Sequence, residues 1–243
     1  MFKEIIRKAL IFLHIDLTKN IKYDRLTLKV FDKILHQDSN CIDVGCFKGE
    51  ILEEMLNRSP KGQHLAFEPV PVLFDAIKHK FQNNSHVQLF NIALNDTNGT
   101  TSFNYAVGAP AYSGIKKRDY DGKNPEIELI EVKTDKLDNV IPENYAVDLI
   151  KIDVEGAEFN VLKGAKKTIT KYKPIIIFEF GLGASDYYKT TPNDIYTFFN
   201  TECAYQIYLL EDFLKDQQAL SFEEFKQIYS EKKEYYFVSS PVR

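Results

Sequence analysis

The 243-residue sequence contains no tryptophan, two methionines and only three cysteines, Cys41, Cys46 and Cys203. The cysteines form no Cys-x-x-Cys pair and no cluster with histidine, so neither a disulfide framework nor a zinc site is indicated. So few cysteines favour a reducing compartment, and we expect a cytoplasmic location. No run reaches the roughly 18 apolar residues of a membrane-spanning helix, so no transmembrane segment is expected.

The chain also has little excess of one sign of charge over the other. The formal net charge is -4, so no broad phosphate-binding surface is indicated and nucleic acid is not an expected partner. Apolar residues make up 44% of the chain, which is enough for a sizeable core. The length suits one α/β domain with a small insert.

The first motif is a glycine-containing turn between a short apolar strand, predicted at 40–44, and an amphipathic helix, predicted at 49–57. The glycines would let the backbone approach a ligand where a Cβ atom would collide. The turn and the end of its strand supply the ligand-site residues Asp43, Gly45, Cys46, Phe47 and Gly49.

A second apolar strand at 63–67 ends in Glu68, which Pro69 follows. Strand, glycine turn, helix, strand and acid is the order of a nucleoside-binding βαβ unit, whose acid accepts hydrogen bonds from the ribose hydroxyls. The Gly-x-x-x-Gly spacing lacks the glycine that a pyrophosphate needs, which opposes a nicotinamide-dependent oxidoreductase. Asp43 would repel phosphate but suits an ammonium group. Ribose together with ammonium points to S-adenosylmethionine.

Strands and helices alternate after about residue 38, which predicts an α/β fold with a doubly wound, mostly parallel Rossmann-like sheet. A helical N-terminal segment at 1–37 precedes this region, and a β-hairpin insert at about 100–133 separates strands three and four. A C-terminal strand pair would add an antiparallel edge. The other predicted elements are strands at 87–93, 147–152, 174–180, 205–210 and 235–238 and helices at 70–81 and 157–171.

The second motif runs from residue 148 to residue 158 and contains Lys151 and Asp153 on an otherwise apolar strand. Residues two apart on a strand share one face, and a buried lysine must be paired, so Asp43 or Glu179 is a plausible partner. Ligands bind beyond the carboxyl ends of parallel strands. The polar residues at or near those ends are Asp43, Glu68, Asn91, Asp153 and Glu179.

Residues 148–165 resemble the signature of the FkbM-like family of class I S-adenosylmethionine-dependent methyltransferases. The Asp43-Val44-Gly45 turn, Phe67-Glu68-Pro69, the turn at 93–99 and Glu179 match the family's other landmarks in the expected order. The resemblance covers about residues 38–182 and implies a methyltransferase domain at 38–243. It implies that Asp43, Gly45, Gly49 and Glu68 hold the cofactor, that Asn91 and Ala93 lie beside the adenine, and that Asp153 faces the transferred methyl group.

Most members of the family resemble O-methyltransferases. A hydroxyl is a poor nucleophile at neutral pH, so a base or a metal is expected. The first choice for the base is Asp153, with Glu155 and Glu179 as further candidates and Lys151 as their charged partner; a purely structural ion pair is the alternative for Lys151. The same carboxylates could hold a divalent metal ion, but no ligand spacing establishes a metal site, and we expect activity to persist in excess chelator.

The long loop at 107–125 is predicted to be a lid over the acceptor, because loops of that length are usually functional or disordered. Its tyrosines and cations favour a sugar or an acidic acceptor. The expected partner is therefore a small molecule or a glycan, with a homo-oligomer possible through the N-terminal helix. The alternative function is a non-catalytic S-adenosylmethionine-binding sensor or scaffold.

Overall fold

The computed structural model describes residues 18–118 and 125–242. The first helix predicted in the N-terminal segment, to about residue 17, lies outside the described residues. The second helix is α1, Lys19–Ile34. The Thr18 side chain caps α1 by accepting a hydrogen bond from the Ile21 N–H, and apolar residues at helical spacing turn one face of α1 toward the core.

The strands and helices follow the order that the sequence indicates. The strands are β1 Cys41–Val44, β2 His64–Phe67, β3 Val87–Phe90, β4 Ala93–Leu94, β5 Gly99–Val107, β6 Glu126–Asp135, β7 Leu149–Ile152, β8 Ile175–Glu179, β9 Tyr205–Leu209 and β10 Tyr236–Pro241. The helices after α1 are α2 Glu50–Arg58, α3 Pro71–Phe81, α4 Leu137–Val140, α5 Glu158–Gly164, α6 Lys166–Tyr172, α7 Pro192–Thr197, α8 Leu210–Leu214 and α9 Phe222–Ser230.

The main sheet has the strand order β3-β2-β1-β7-β8-β10-β9. In this sheet β3, β2, β1, β7 and β8 pair in parallel. β10 pairs antiparallel with both β8 and β9. This confirms the predicted doubly wound, mostly parallel sheet with a C-terminal antiparallel pair. The central strands β1, β2 and β7 are buried along their whole length, as strands covered by helices on both faces must be.

The predicted third strand, 87–93, is wrong in its C-terminal half. β3 ends at Phe90, and Ala93 and Leu94 pair with β6 in a separate three-stranded sheet of order β4-β6-β5. The Asn91 side chain marks the bend, because its amide donates to the carbonyl oxygens of Glu68 (2.8 Å) and Pro69 (3.0 Å). The hairpin of β5 and β6 is the predicted insert, and its inner face packs against the turn before α3.

The single helix predicted at 157–171 is also wrong, because Ala165 interrupts it between α5 and α6. The interruption follows from a close contact at Gly164. A Cβ atom there would lie 2.1 Å from the Asn95 carbonyl oxygen, so α5 ends against the turn that leads into the insert. None of the helices in the two described ranges is long and apolar enough to cross a membrane.

Candidate active site

The glycine turn after β1 is shaped by contacts within the protein. Gly45 has φ +84°, and a Cβ atom on it would lie 1.9 Å from the Asp153 carbonyl oxygen. Gly49 has φ +70°, and its Cβ would lie 2.6 Å from the Phe81 ring. Both residues therefore need the freedom of glycine for the protein's own packing. That these glycines also let the backbone approach a ligand stays a prediction.

Glu68 connects the turn to the end of β2. Its Oε2 accepts a hydrogen bond from the Phe47 N–H and its Oε1 accepts one from the Val70 N–H, each at 2.9 Å. Glu68 is buried, and burial raises the pKa of its carboxyl to about 7, although these two hydrogen bonds act to lower it. Each oxygen keeps a lone pair for a ligand hydroxyl.

A first cleft of about 150 Å³ opens beside Glu68. Apolar residues form most of its walls, including Ile92 and Leu94 from the bend after β3 and Phe103 from the insert. Of the residues predicted from the sequence to bind cofactor, those that line this cleft are Gly45, Phe47, Glu68, Pro69, Ala93 and Asp153. Asn91 does not line it, because its amide is used by the backbone at the bend.

A second cleft of about 760 Å³ adjoins the first. The two clefts share Phe47, Ala111, Asp153 and Glu155 in their walls. Tyrosines and carboxyl groups form a large part of the rest of the second cleft, which also contains the cations Arg118 and Lys232. The tyrosines and carboxyl groups are those of Tyr23, Tyr112, Tyr229, Tyr235, Tyr236, Asp24, Glu50, Glu179 and Glu234.

A third cavity of about 130 Å³ lies below the turn and shares Gly45, Phe47 and Asp153 with the first cleft. Asp43, Cys46 and Lys151 also line it.

Asp43 is 1% exposed, and neither of its oxygens accepts a hydrogen bond of ordinary geometry from the part of the chain that the structure describes. Burial raises the pKa of Asp43 to about 6, while the Lys151 ammonium, the Cys46 thiol and the Leu52 N–H act to lower it.

Asp153, at the end of β7, is held by two donors. The Lys151 ammonium lies 2.9 Å from its Oδ2, and the Tyr236 hydroxyl donates to the same oxygen at 2.5 Å. Burial opposes ionisation of Asp153, but the Lys151 charge and the Tyr236 hydroxyl outweigh it and lower its pKa. The partner of the buried Lys151 is thus Asp153 itself. Asp43 and Glu179 contribute only through their charges.

Two further carboxyl groups behave differently from Asp153. Burial, together with the neighbouring charge of Asp153, raises the pKa of Glu179 well above its usual range. The same causes raise the pKa of Glu155 to about 8, although the Arg118 guanidinium contacts its Oε2. Glu158 fixes the turn that carries Glu155, because its Oε1 accepts hydrogen bonds from the N–H groups of Val154 and Gly156.

Tyr236 is a residue of the candidate site that sequence reasoning missed. β10 lies beside β8 with Tyr236 opposite Glu179, which brings the tyrosine hydroxyl to Asp153. The sequence signal was a strand at 235–238, and the alternation within that strand does not reveal which neighbour it pairs with. The contact between Tyr236 and Asp153 follows from the position of β10 beside β8 in the sheet.

The described part of the 107–125 loop, which was predicted to be a lid, folds back onto the two clefts. A turn of 3-10 helix at Pro110–Tyr112 lies between them, and the Tyr188 hydroxyl accepts a hydrogen bond from the Lys116 N–H (3.1 Å). Arg118 is paired with Glu155, so this cation is not free for an acidic acceptor. Tyr120, in the loop's remaining part, lies outside the described residues.

Within residues 18–118 and 125–242, no group of three or more His, Cys, Asp or Glu side chains has an arrangement that could hold a metal ion. Metal independence stays a prediction for the chelator experiment.

Residues 43–207 match the family model described as the methyltransferase FkbM domain. The chain belongs to the FkbM methyltransferase family. The match confirms the family and the enzyme class expected from the sequence, an S-adenosylmethionine-dependent methyltransferase domain. Tyr23 and Tyr236 both lie outside the segment that the family model matches.

Two curated relatives are similar to this FkbM domain. The 2-O-methyltransferase NoeI of Sinorhizobium fredii is 30% identical over 169 residues, which is 63% of this chain and 67% of NoeI. The methyltransferase sdnD of Sordaria araneosa is 30% identical over 152 residues, 51% of this chain and 59% of sdnD.

The crystal structure of methyltransferase FkbM from Methylobacillus flagellatus aligns with 88% of this chain and 50% of its own length, with a TM-score of 0.52 and 13% identity. At that identity the likeness supports the fold alone. The aligned segments therefore leave between a third and a half of these relatives' own lengths without a counterpart in this chain.

Proposed function

We propose that this protein is an O-methyltransferase that moves a methyl group from S-adenosylmethionine to a hydroxyl of a small molecule or a glycan, with a sugar preferred. The observation that carries the proposal is that Asp153 and Glu155 stand in the wall shared by the first and second clefts. A carboxylate at that junction reaches both a donor in one cleft and an acceptor in the other. The printed activity of NoeI, 2-O-methylation, supports oxygen as the acceptor atom.

The residues of the first cleft fit the nucleoside of the donor. Glu68 keeps a lone pair on each oxygen for the ribose hydroxyls, and the apolar walls at Ile92 and Leu94 suit a purine. Asp43, buried without a hydrogen-bond donor of ordinary geometry in the described chain, suits an ammonium. When bound, S-adenosylmethionine supplies a methyl group on a positively charged sulfur, which is an excellent leaving group.

The second cleft fits a polyhydroxylated acceptor. Its carboxylates accept hydrogen bonds from hydroxyl groups, and its tyrosines combine an apolar ring with a polar tip that can lie against a sugar. The lining holds six carboxyl groups and two cations, Arg118 and Lys232, and Arg118 is already paired with Glu155, so the balance is acidic. We therefore prefer a neutral sugar to the acidic acceptor that the loop's cations first indicated.

Asp153 is proposed to orient the acceptor hydroxyl and to take its proton. Lys151 and Tyr236 keep its carboxylate ionised and fixed, so it is ready to accept a hydrogen bond at neutral pH. Glu155 and Glu179, whose pKa values are raised, already hold protons at neutral pH and are proposed to donate hydrogen bonds to the acceptor, while the proton that Asp153 takes passes to water in the second cleft. Orientation contributes as much as proton removal, because a positioned nucleophile reacts without a further loss of freedom.

Replacing Asp153 with asparagine tests this role. We expect turnover to fall by about 10²- to 10⁴-fold, the usual contribution of a positioned base. S-adenosylhomocysteine affinity should change by less than about threefold, because the amide retains the shape of the side chain. Turnover is measured as S-adenosylhomocysteine release with a panel of neutral, amino and acidic sugars and phenols, and affinity by calorimetry.

The panel also separates the alternatives. A sugar O-methyl ether as the main product supports the proposal, whereas methylation on nitrogen would contradict it. Binding of S-adenosylhomocysteine without transfer to any compound or to an extract of the source cell would instead favour a sensor or scaffold.

We propose in addition a cytoplasmic location, from the buried and unbridged cysteines at 41, 46 and 203, and no nucleic-acid partner, from the acidic balance of the chain. The helical segment 1–37 as a separate unit, and homo-oligomer formation through its first helix, also stay predictions.

A further inference from the structure

We infer that α1, which precedes the segment matched by the family model, completes the donor site by supplying one wall of the third cavity, where Asp24 and Thr27 bind the amino-acid end of the donor. The inference rests on the proposed function, because the third cavity has a ligand only if the first cleft holds the nucleoside part of the same molecule. It adds to the site residues that lie outside the segment matched by the family model.

Asp43, which lines the third cavity, suits a small cation. Asp43 is buried to 1% exposure with neither oxygen hydrogen-bonded in ordinary geometry within the described residues. Two lysines line the cavity: Lys151 is already paired with Asp153 at 2.9 Å, and the Lys48 ammonium lies over the Phe47 ring. A buried carboxylate that lacks strong donors is stabilised by a ligand that brings them. An alkylammonium group brings three N–H donors and a charge.

The cavity adjoins the nucleoside cleft, and it also shares Tyr23, Asp24 and Glu50, among others, with the second cleft. Gly45, Phe47 and Asp153 line both the cavity and the nucleoside cleft, so a ligand that fills the first cleft can extend past Gly45 toward Asp43. The carboxyl groups in its lining, Asp24, Asp43 and Glu50, suit the ammonium of a short amino-acid chain. The ligand class that spans the cavity and the nucleoside cleft is therefore a nucleoside that carries an amino-acid tail.

α1 forms the wall opposite Asp43. Tyr23, Asp24 and Thr27 all line the cavity, and Asp24 and Thr27 lie three residues apart, which places them on neighbouring turns of one helix face. Asp24 adds a second carboxylate, and the hydroxyl of Thr27 adds a group that can accept from an ammonium or donate to a carboxylate.

The position of α1 is fixed by the segment that leads into β10. The Tyr23 ring stacks on the Tyr236 ring with 5.0 Å between centroids, and its hydroxyl donates to Glu234. The Lys22 ammonium lies 2.9 Å from Glu234. Further along α1, Phe31 is buried in the core beneath β1. The wall is therefore held in place on both sides of the cavity.

The test compares S-adenosylhomocysteine, which carries the amino-acid tail, with 5′-methylthioadenosine, which lacks it. Calorimetry is performed on the full chain and on the variants Asp24→Asn and Thr27→Val. We expect each variant to bind S-adenosylhomocysteine about tenfold more weakly, the usual effect of losing a hydrogen bond to a charged group. Each should bind 5′-methylthioadenosine within about twofold of the unaltered protein.

Asp32→Asn is the matched control. It makes the same charge change on the same helix, but Asp32 pairs with Arg58 at 2.6 Å and lines none of the three spaces described above. It should leave both affinities unchanged. Circular dichroism melting of each variant verifies the fold, and Thr27→Ala, which also removes the hydroxyl, replaces Thr27→Val if the valine variant does not fold.

Three outcomes would overturn the inference. An equal loss of both ligands would show that α1 only supports the fold, and no change in either would show that the tail lies elsewhere. If the unaltered protein binds 5′-methylthioadenosine and S-adenosylhomocysteine equally well, the tail has no site and the inference also fails. If it binds neither, the proposed function itself is wrong.

Discussion

At the scale of single residues, the site is a set of carboxyl groups whose pKa values burial has moved apart. The pKa values are raised to between about 6 and 8 for Asp43, Glu68, Glu155 and Glu158. The pKa of Asp153 is lowered. The lowered group is the one with a lysine and a tyrosine on its oxygen. Groups with shifted pKa values concentrate at functional sites, and here they identify the group that stays ionised.

The pKa of about 6 for Asp43 predicts how donor binding depends on pH. In the free protein the raised pKa favours the protonated form, which cannot pair with an ammonium, so affinity is lost as pH falls through that value. Between pH 7 and pH 5 we expect S-adenosylhomocysteine affinity to fall about tenfold, in proportion to the ionised fraction. Calorimetry at both pH values measures it.

5′-Methylthioadenosine is the control for this pH dependence, because it is expected to contact Glu68 but has no ammonium. The pH dependence of its affinity reports how much of the effect comes from the titration of Glu68. The Asp43→Asn variant should lose the excess dependence of S-adenosylhomocysteine over 5′-methylthioadenosine. An unchanged excess in that variant would assign the titration to another group.

Single residues also show how far sequence reasoning reaches at a site. Asp43, Glu68 and Asp153 could be predicted because each lies at or directly after the end of a short apolar strand, and the ends of parallel strands meet at one edge. The family resemblance implies that Asn91 lies beside the adenine, but its amide donates to the backbone. Tyr236 could not be found, since its contact depends on pairing between strands far apart in sequence.

At the scale of elements, the turn after β1 packs tightly against the turn after β7. The backbone at Gly45 touches the backbone after β7, so the two turns that carry Asp43 and Asp153 are fitted against each other. The distance between these carboxyl groups is thereby set by the fold before any ligand arrives. Preorganisation of this kind is what a transfer site needs.

The variants Gly45→Ala and Gly108→Ala separate the close contact from the backbone angle. Both glycines have positive φ, +84° and +79°, but a Cβ atom on Gly108 meets nothing within 4 Å. Gly108→Ala should cost about 1 kcal/mol of unfolding free energy, the usual penalty of a left-handed alanine. Gly45→Ala should cost about 4 kcal/mol or more, because the Asp153 backbone must move.

Urea denaturation followed by circular dichroism measures both costs. Equal costs for the two variants would show that the turn can yield around the added methyl group. Donor binding should be lost in Gly45→Ala and kept in Gly108→Ala.

The wrong element boundaries have local physical causes. The run at 87–93 is apolar enough for one strand, and the bend after Phe90 depends on an amide that bonds to another strand's end. The break at Ala165 depends on a contact with Asn95. Sequence periodicity reports which face of an element is buried and carries no information about such long-range contacts.

At the scale of the whole molecule, the segment matched by the family model does not contain the whole sheet. Residues 43–207 include β8 and most of β9, but β10 lies between these strands. The same segment lacks α1, which packs against β1 and β10. The doubly wound core could be predicted from alternation alone, whereas the insertion of β10 between two earlier strands could not.

A fragment of residues 43–207 should therefore neither fold nor bind the donor. Removing β10 exposes the edge of β8 and takes away Phe237 and Val238, both 0% exposed in the whole chain, and unpaired apolar edges associate with other chains. We expect aggregated fragment and no heat of binding with S-adenosylhomocysteine. A monomeric fragment that binds within about threefold of the full chain would contradict this.

The place of β10 has a consequence for biosynthesis. β8 and β9 leave the ribosome before the strand that must separate them, so each waits without its proper neighbour until residues 236–241 have been translated. Tyr236 belongs to that late strand, and Asp153 gains its second hydrogen-bond donor only when the strand arrives. A nascent chain that stops short of residue 236 is consequently an incomplete catalyst with an open β edge, which makes it a natural client for chaperones and proteases.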